Sequence, residues 1–151
     1  LSRSGAGISH GIGVGGRDLS DEVGGISTLR ALAILDTDPD TDHVVLISKP
    51  PGARTARVVE ERLAALGFRL VCCWRDADSF AAARESRLKV SGNPSQYIDL
   101  QPFIDEQQEF RDLCDASRLP CLHVDISEND IPGAVERVAD WLEETGGLDA
   151  D

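Results

Sequence analysis

Apolar residues recur along this chain in two kinds of pattern. Five stretches are predicted to be helices, and in four of them, all but residues 77–87, apolar residues three or four positions apart predict one buried stripe. These stretches cover about residues 27–35, 53–66, 77–87, 104–116 and 130–142. The predicted cap of the first helix is Ser27, and that of the last is Asn129 or Asp130. Shorter apolar runs at 43–48, 69–74 and 119–125 are typical of strands, because β-branched and large apolar side chains suit a pleated sheet.

The order of these patterns predicts the fold class. Strands that alternate with helices form a parallel sheet between two helical layers. We therefore expect an α/β fold: a three-layer, flavodoxin-like parallel sheet of about four to five strands with helices on both faces. The 151 residues suit a single domain, 1–151. A shift of composition near residue 67 suggests a junction between residues 1–66 and a different α/β part, 67–151.

Charge narrows the choice of partners. The net charge is −12, and residues 67–151 hold 18 acidic against 8 basic side chains, whereas residues 1–66 hold 9 against 7. Phosphate backbones and anionic lipids repel such a surface, so we expect no nucleic-acid or membrane partner. Any homo-oligomer should form through residues 1–66. No signal segment or long apolar run is evident, which predicts a cytoplasmic protein.

The four cysteines, Cys72, Cys73, Cys114 and Cys121, predict neither disulfides nor a metal site. Their spacing lacks the paired cysteines or histidines that a tetrahedral zinc site requires. We interpret them as reduced thiols. Cys72 and Cys73 should point to opposite faces of a strand.

A glycine-rich segment, residues 11–16, is the main candidate for ligand chemistry. Gly11, Gly13 and Gly16 satisfy the Gly-x-Gly-x-x-Gly spacing, but no helix starts at once after them, as a dinucleotide site requires. We expect a small oxyanion instead, because glycines let backbone amides approach a ligand closely. The alternative is that the glycines only turn the chain after a strand. The predicted phosphate or anion contacts are Gly11, Gly13, Gly15, Gly16, Arg17 and Lys49.

His10 is the candidate catalytic residue, because imidazole exchanges protons near neutral pH. It could act as an acid, a base or a phosphate contact, or it could be a half-buried strand residue without a role. We interpret His43 and His123 as structural. The acidic stretch at residues 36–42 lacks the glycine and distal glutamate of a calcium loop, so we interpret it as a solvated connection.

Residues 8–18, the helix after them and Val44-Val-Leu-Ile-Ser-Lys-Pro-Pro51 follow one another in a distinctive order. Over about residues 1–60 this order resembles the ligase domain of the succinyl-CoA synthetase alpha subunit, and more closely the FdrA-type acyl-CoA synthetase-like proteins. The resemblance implies a ligase with CoA and ATP as cofactors of the intact enzyme. It also implies an upstream CoA-binding domain and a partner ligase subunit, with this chain supplying a phosphate site and subunit contacts.

Departures from the family limit that expectation. The family's phosphorylated histidine lies in a Gly-His-Ala-Gly loop, and residues 74–92 contain no histidine. The chain also begins with Leu1 and has no methionine, so we expect an excised domain, a processed product or a fragment, which lacks its upstream neighbour and is inactive alone.

Two alternatives remain open. One is a non-catalytic α/β interaction or regulatory module. The other is a nucleotide-binding relic of a kinase-like domain, because residues 69–145 resemble the second half of small P-loop kinases, with Arg84 and Arg87 in the place of lid arginines. That half alone lacks the phosphate-binding P-loop.

Overall fold

Seven regular elements are present in the computed structural model, which describes residues 7–90 and 99–146. The helices, in chain order, are α1 (Ile26–Leu35), α2 (Ala53–Ala65), α3 (Ala77–Leu88), α4 (Gln101–Ala116) and α5 (Ile131–Glu144). The strands are β1 (Leu70–Trp74) and β2 (Cys121–Asp125), and they pair in parallel. The register runs from Leu70 opposite Cys121 to Trp74 opposite Asp125.

The chain divides into two compact units between Leu66 and Gly67. We call them the N-terminal unit, which contains α1 and α2, and the C-terminal unit, which contains the other elements. The sequence suggested a junction near the same residue. A separate origin of the two parts stays a prediction.

The predicted three-layer, flavodoxin-like sheet of about four to five strands is wrong. Within the described residues the chain forms five helices and a sheet of two strands. β1 and β2 confirm two of the predicted strands and their parallel direction. Residues 43–48, predicted as a strand from their pattern, and residues 8–18, where the family resemblance implies a first strand and its glycine turn, form no strand. A strand needs a paired backbone as well as an apolar sequence. No main-chain hydrogen bond involves residues 43–48 in the described part of the chain.

The residue before α1 lies close to α2 in the N-terminal unit. Leu32 of α1 and Val59 and Leu63 of α2 are buried. Gly25, the residue before α1, has φ of +73°, and a Cβ there would lie 3.0 Å from a methyl carbon of Val59. Glycine is therefore required here by both conformation and space.

Side chains from four elements meet in the core of the C-terminal unit. The buried residues are Cys72 in β1, Cys114 in α4, Val124 in β2 and Ala134 in α5. α4 packs on both strands and α5 packs on β2. Cys73 is exposed while Cys72 is fully buried, which confirms the opposite orientation predicted for these neighbours.

Candidate functional site

The side chain of Asp18, which precedes α1 in sequence, lies at the N-terminus of that helix. Its Oδ1 accepts a hydrogen bond from the Ser27 amide at 2.9 Å, and its Oδ2 accepts from the Thr28 amide at 2.8 Å and the Thr28 hydroxyl at 2.7 Å. Burial raises the pKa of Asp18, but hydrogen bonds from Thr28 and Ser27 outweigh it and lower the pKa to about 2. Asp18 is therefore an ionised carboxylate at the positive end of the helix dipole.

This arrangement corrects the expectation that Ser27 caps α1. The cap position belongs to Gly25, which has no side chain to offer, and the carboxylate comes from Asp18 instead. The Gly25 amide donates to the Asp18 main-chain oxygen at 2.8 Å and so closes the loop beneath the helix.

Asp21 occupies the N-terminus of α2 in a similar way. Its Oδ1 accepts from the Thr55 amide at 2.8 Å, and this bond is the main reason that its pKa is lowered. The Arg54 guanidinium donates to the main-chain oxygen of Asp21. Gly52 lies directly before α2, and a Cβ there would come within 2.4 Å of Asp21 Oδ1.

The predicted oxyanion residues do not gather at these helix ends. A helix N-terminus binds anions through its free amides, but here two carboxylates of the chain take that place. Gly15 lies in a turn with φ of +85°, and Arg17 forms an exposed ion pair with Glu22. Added Cβ atoms at Gly11, Gly13 and Gly16 would meet open space, so no described group requires glycine there.

His10 forms the centre of a polar cluster, which we call the His10 cluster: Ser9, His10, Asp38 and Thr41. Nδ1 of His10 lies 3.3 Å from Oδ2 of Asp38, close enough for the carboxylate to orient the ring. The Thr41 hydroxyl donates to the same carboxylate oxygen, and the Ser9 hydroxyl lies 2.8 Å from the Thr41 hydroxyl. Because the Thr41 proton is directed to Asp38, Ser9 is the donor in that contact.

The His10 cluster lies beside a groove of about 330 Å³ in the N-terminal unit. Leu32 and Leu35 of α1 form part of its apolar lining, and residues 43–47 line it as well. Among the predicted site residues, His10 and Gly11 also line the groove. Lys49 is exposed and follows the last lining residue, Ile47, by two positions.

A histidine held by a carboxylate can exchange a proton at its other ring nitrogen, Nε2. The ring of His10 is about half exposed, at 48%, whereas the side chain of Asp38 is 17% exposed. A ligand could therefore reach the ring while Asp38 stays behind it. The chemistry that this arrangement supports is proton transfer or contact with an oxyanion.

Sequence reasoning missed Asp38 and Thr41, because it treated residues 36–42 as a solvated connection. The signal was local: a threonine three residues after an aspartate forms a side-chain turn, and this one fixes the carboxylate. The contact of Asp38 with His10 spans 28 residues of sequence and has no local signal.

Three of the four thiols of the C-terminal unit, those of Cys72, Cys114 and Cys121, lie close together. Burial raises the pKa of Cys72, Cys114 and Cys121, and such thiols are poor nucleophiles. His123, interpreted as structural, pairs through Nε2 with Asp115 at 2.9 Å. Among the described residues no group of three or more metal-binding side chains is arranged to hold a metal ion.

One similar protein is YahF, an uncharacterized protein of Escherichia coli (strain K12), which is 47% identical over 72 residues. The match covers 48% of this chain and 14% of YahF. No protein-family model matches the chain. No solved structure matches it either. None of the helices in the described ranges is both long and apolar enough to cross a membrane.

Proposed function

We propose that this chain is the ligase-domain portion of an acyl-CoA synthetase related to succinyl-CoA synthetase and FdrA-type proteins. In this proposal the His10 cluster contacts a small oxyanion. The observation that carries the proposal is a chain of contacts beside the groove: hydrogen bonds link Ser9 to Thr41 and Thr41 to Asp38, whose carboxylate lies 3.3 Å from Nδ1 of His10. The sequence resemblance over residues 1–60 supports the wider assignment.

The starts of α1 and α2 offer no phosphate cradle for CoA or ATP. A nucleotide phosphate chain needs a cradle of free amides, and the amides at the starts of α1 and α2 are bonded to Asp18 and Asp21. We therefore limit the proposal to one oxyanion. The apolar lining from Leu32 and Leu35 favours a carboxylate with a short aliphatic chain over inorganic phosphate.

In this function the role of His10 follows from its geometry. Asp38 holds Nδ1, so Nε2 faces the ligand either as a proton acceptor or, when the ring is protonated, as a charged donor. Cytoplasmic location belongs to the same proposal, because four free thiols suit a reducing compartment. The partner ligase subunit and the upstream CoA-binding domain also belong to it.

Histidine NMR signals provide a direct test. We expect titration with butyrate, and more weakly with inorganic phosphate, to shift the His10 ring signals saturably in the millimolar range. His10→Gln should abolish the saturable response seen elsewhere in the groove. His43→Gln is the matched control, since His43 lines the same groove outside the cluster, and it should leave the response in place.

Three results bear on the proposal differently. Unchanged His10 signals with both anions would overturn the oxyanion site. Saturable shifts that persist in His10→Gln would place binding elsewhere and overturn the role of His10. No response to any anion, together with capture of a ligase subunit, would support the alternative of a non-catalytic interaction module.

A further inference from the structure

Residues 43–48 have the exposure pattern of a strand, although no strand among the described residues pairs with them. Val45 and Ile47 are 83% and 89% exposed, whereas Val44 and Leu46 are partly buried. An exposure period of two is the signature of an extended chain with one covered face. The other face presents large apolar side chains to water.

The backbone of this stretch is open as well. Neither the amides nor the carbonyls of residues 43–48 form main-chain hydrogen bonds within the described part of the chain. An accessible row of unpaired backbone groups is a template for a further strand, and no acidic, lysine or arginine side chain lies between Asp42 and Lys49 to discourage one. The chemistry that fits this surface is another extended, apolar backbone.

We propose that residues 43–48 pair with the same residues of a second copy, as antiparallel strands about a two-fold axis. About a two-fold axis both copies contribute the same surface, so the same exposed stretch of each copy can pair with that of the other. Antiparallel pairing also brings the Asp42 end of one copy to the Lys49 end of the other, whereas parallel pairing would place like charges together.

The charge balance of the chain favours this stretch for self-association. Residues 67–151 hold 18 acidic and 8 basic side chains, so two copies of that part repel each other. Residues 1–66 are close to neutral, with 9 acidic and 7 basic side chains. Pairing centred on Val45 places the two Val45 side chains opposite each other and removes both from water.

Sedimentation of the full chain over a range of concentrations tests the proposal, with amide exchange of residues 43–48 as the second readout. We expect a dimer whose formation slows exchange at these amides. Val45→Lys places two like charges opposite each other and should weaken the dimer at least roughly tenfold. Val135→Lys is the matched control, because Val135 on α5 is also exposed, at 61%, and the dimer should be unaffected.

A charge exchange tests the antiparallel direction. Asp42→Lys should weaken the dimer, because the end of the stretch that carries residue 42 meets the end of the other copy that carries Lys49, and the attraction between these two ends becomes a repulsion. The double variant Asp42→Lys, Lys49→Asp should restore it. Circular dichroism confirms that each variant is folded. A monomer well above micromolar concentration, a dimer indifferent to Val45→Lys, or exchange at residues 43–48 that does not slow with concentration would each overturn the proposal.

Discussion

The carboxylate of Asp18 lies within 2.8 Å of both the amide and the hydroxyl of Thr28, although the two residues are ten positions apart. Asp18 is 4% exposed and Thr28 is 1% exposed, so water cannot replace either partner. This pair fixes the start of α1 and, through the loop that follows Asp18, places Asp21 at the start of α2. The groove lies against the same helix, α1.

Asp18→Asn should destabilise the N-terminal unit by roughly 2 kcal/mol. The substitution removes the negative charge, and the new side-chain NH2 group faces main-chain amides of α1 that are themselves donors. The signals of Thr28 and Leu32 in nuclear magnetic resonance spectra, followed through a urea series, measure the effect. Glu22→Gln is the control. Its carboxylate is 75% exposed and pairs with the exposed Arg17, so its loss should cost under about 0.5 kcal/mol.

Both tryptophans, Trp74 and Trp141, lie in the C-terminal unit, as do all the phenylalanines. Tryptophan fluorescence therefore follows that unit in the same sample. An Asp18→Asn variant with unchanged midpoints for Thr28 and Leu32 would contradict the role that we assign to Asp18.

Acid should weaken α1 within a defined pH window. The pKa of Asp18 falls from 3.8 to about 2 on folding, so its contribution is complete above pH 4 and is lost as the pH falls towards 2. This loss in the free energy of unfolding is on the order of 1–2 kcal/mol. Urea unfolding of α1 at several pH values between 5 and 2 measures it, and Asp18→Asn should show a smaller slope over this window. Equal slopes in both proteins would assign the acid sensitivity to other carboxylates.

Local signals explain what the sequence could predict. Asp130 was one of two predicted caps for α5, and its side chain does accept from the Gly133 amide, three positions away. The apolar runs of β1 and β2 likewise pair because the helices packed on them help to bury their apolar side chains. Each of these features depends on spacing within one element or on a buried core of ordinary composition.

Long-range partners explain what the sequence could not predict. Asp18 accepts from amides nine and ten positions ahead, so no cap motif marks it. His10 was a candidate from its residue type, but Asp38 entered only with the structure. Residues 43–48 have the composition of a strand, and composition does not specify where its pairing partner lies.

Gly52→Ala should destabilise the N-terminal unit by about 1–3 kcal/mol, because the new methyl group would overlap the Asp21 side chain and lie 2.8 Å from the Asp21 amide nitrogen. The backbone of Gly52, with φ of −61° and ψ of 147°, suits alanine, so the cost is steric. Gly13→Ala is the matched control: its methyl group meets open space and should be neutral or slightly stabilising. The thermal midpoint of the α2 amide signals compares the two, and equal midpoints would contradict the overlap.

Thiol labelling should separate Cys73 from the other cysteines. Cys73 is exposed at the surface of β1, whereas Cys72 and Cys114 are buried, and burial raises the pKa of both buried thiols and of Cys121. Because the thiolate is the reactive form, a disulfide reagent added to the native chain should modify Cys73 quickly, the partly exposed Cys121 more slowly, and Cys72 and Cys114 at the rate of unfolding. Cys73→Ser should remove the fast phase, and Cys72→Ser should retain it. Fast labelling of Cys72 or Cys114 in the native chain would mean that the core between β1, β2 and α4 opens more readily than its burial indicates.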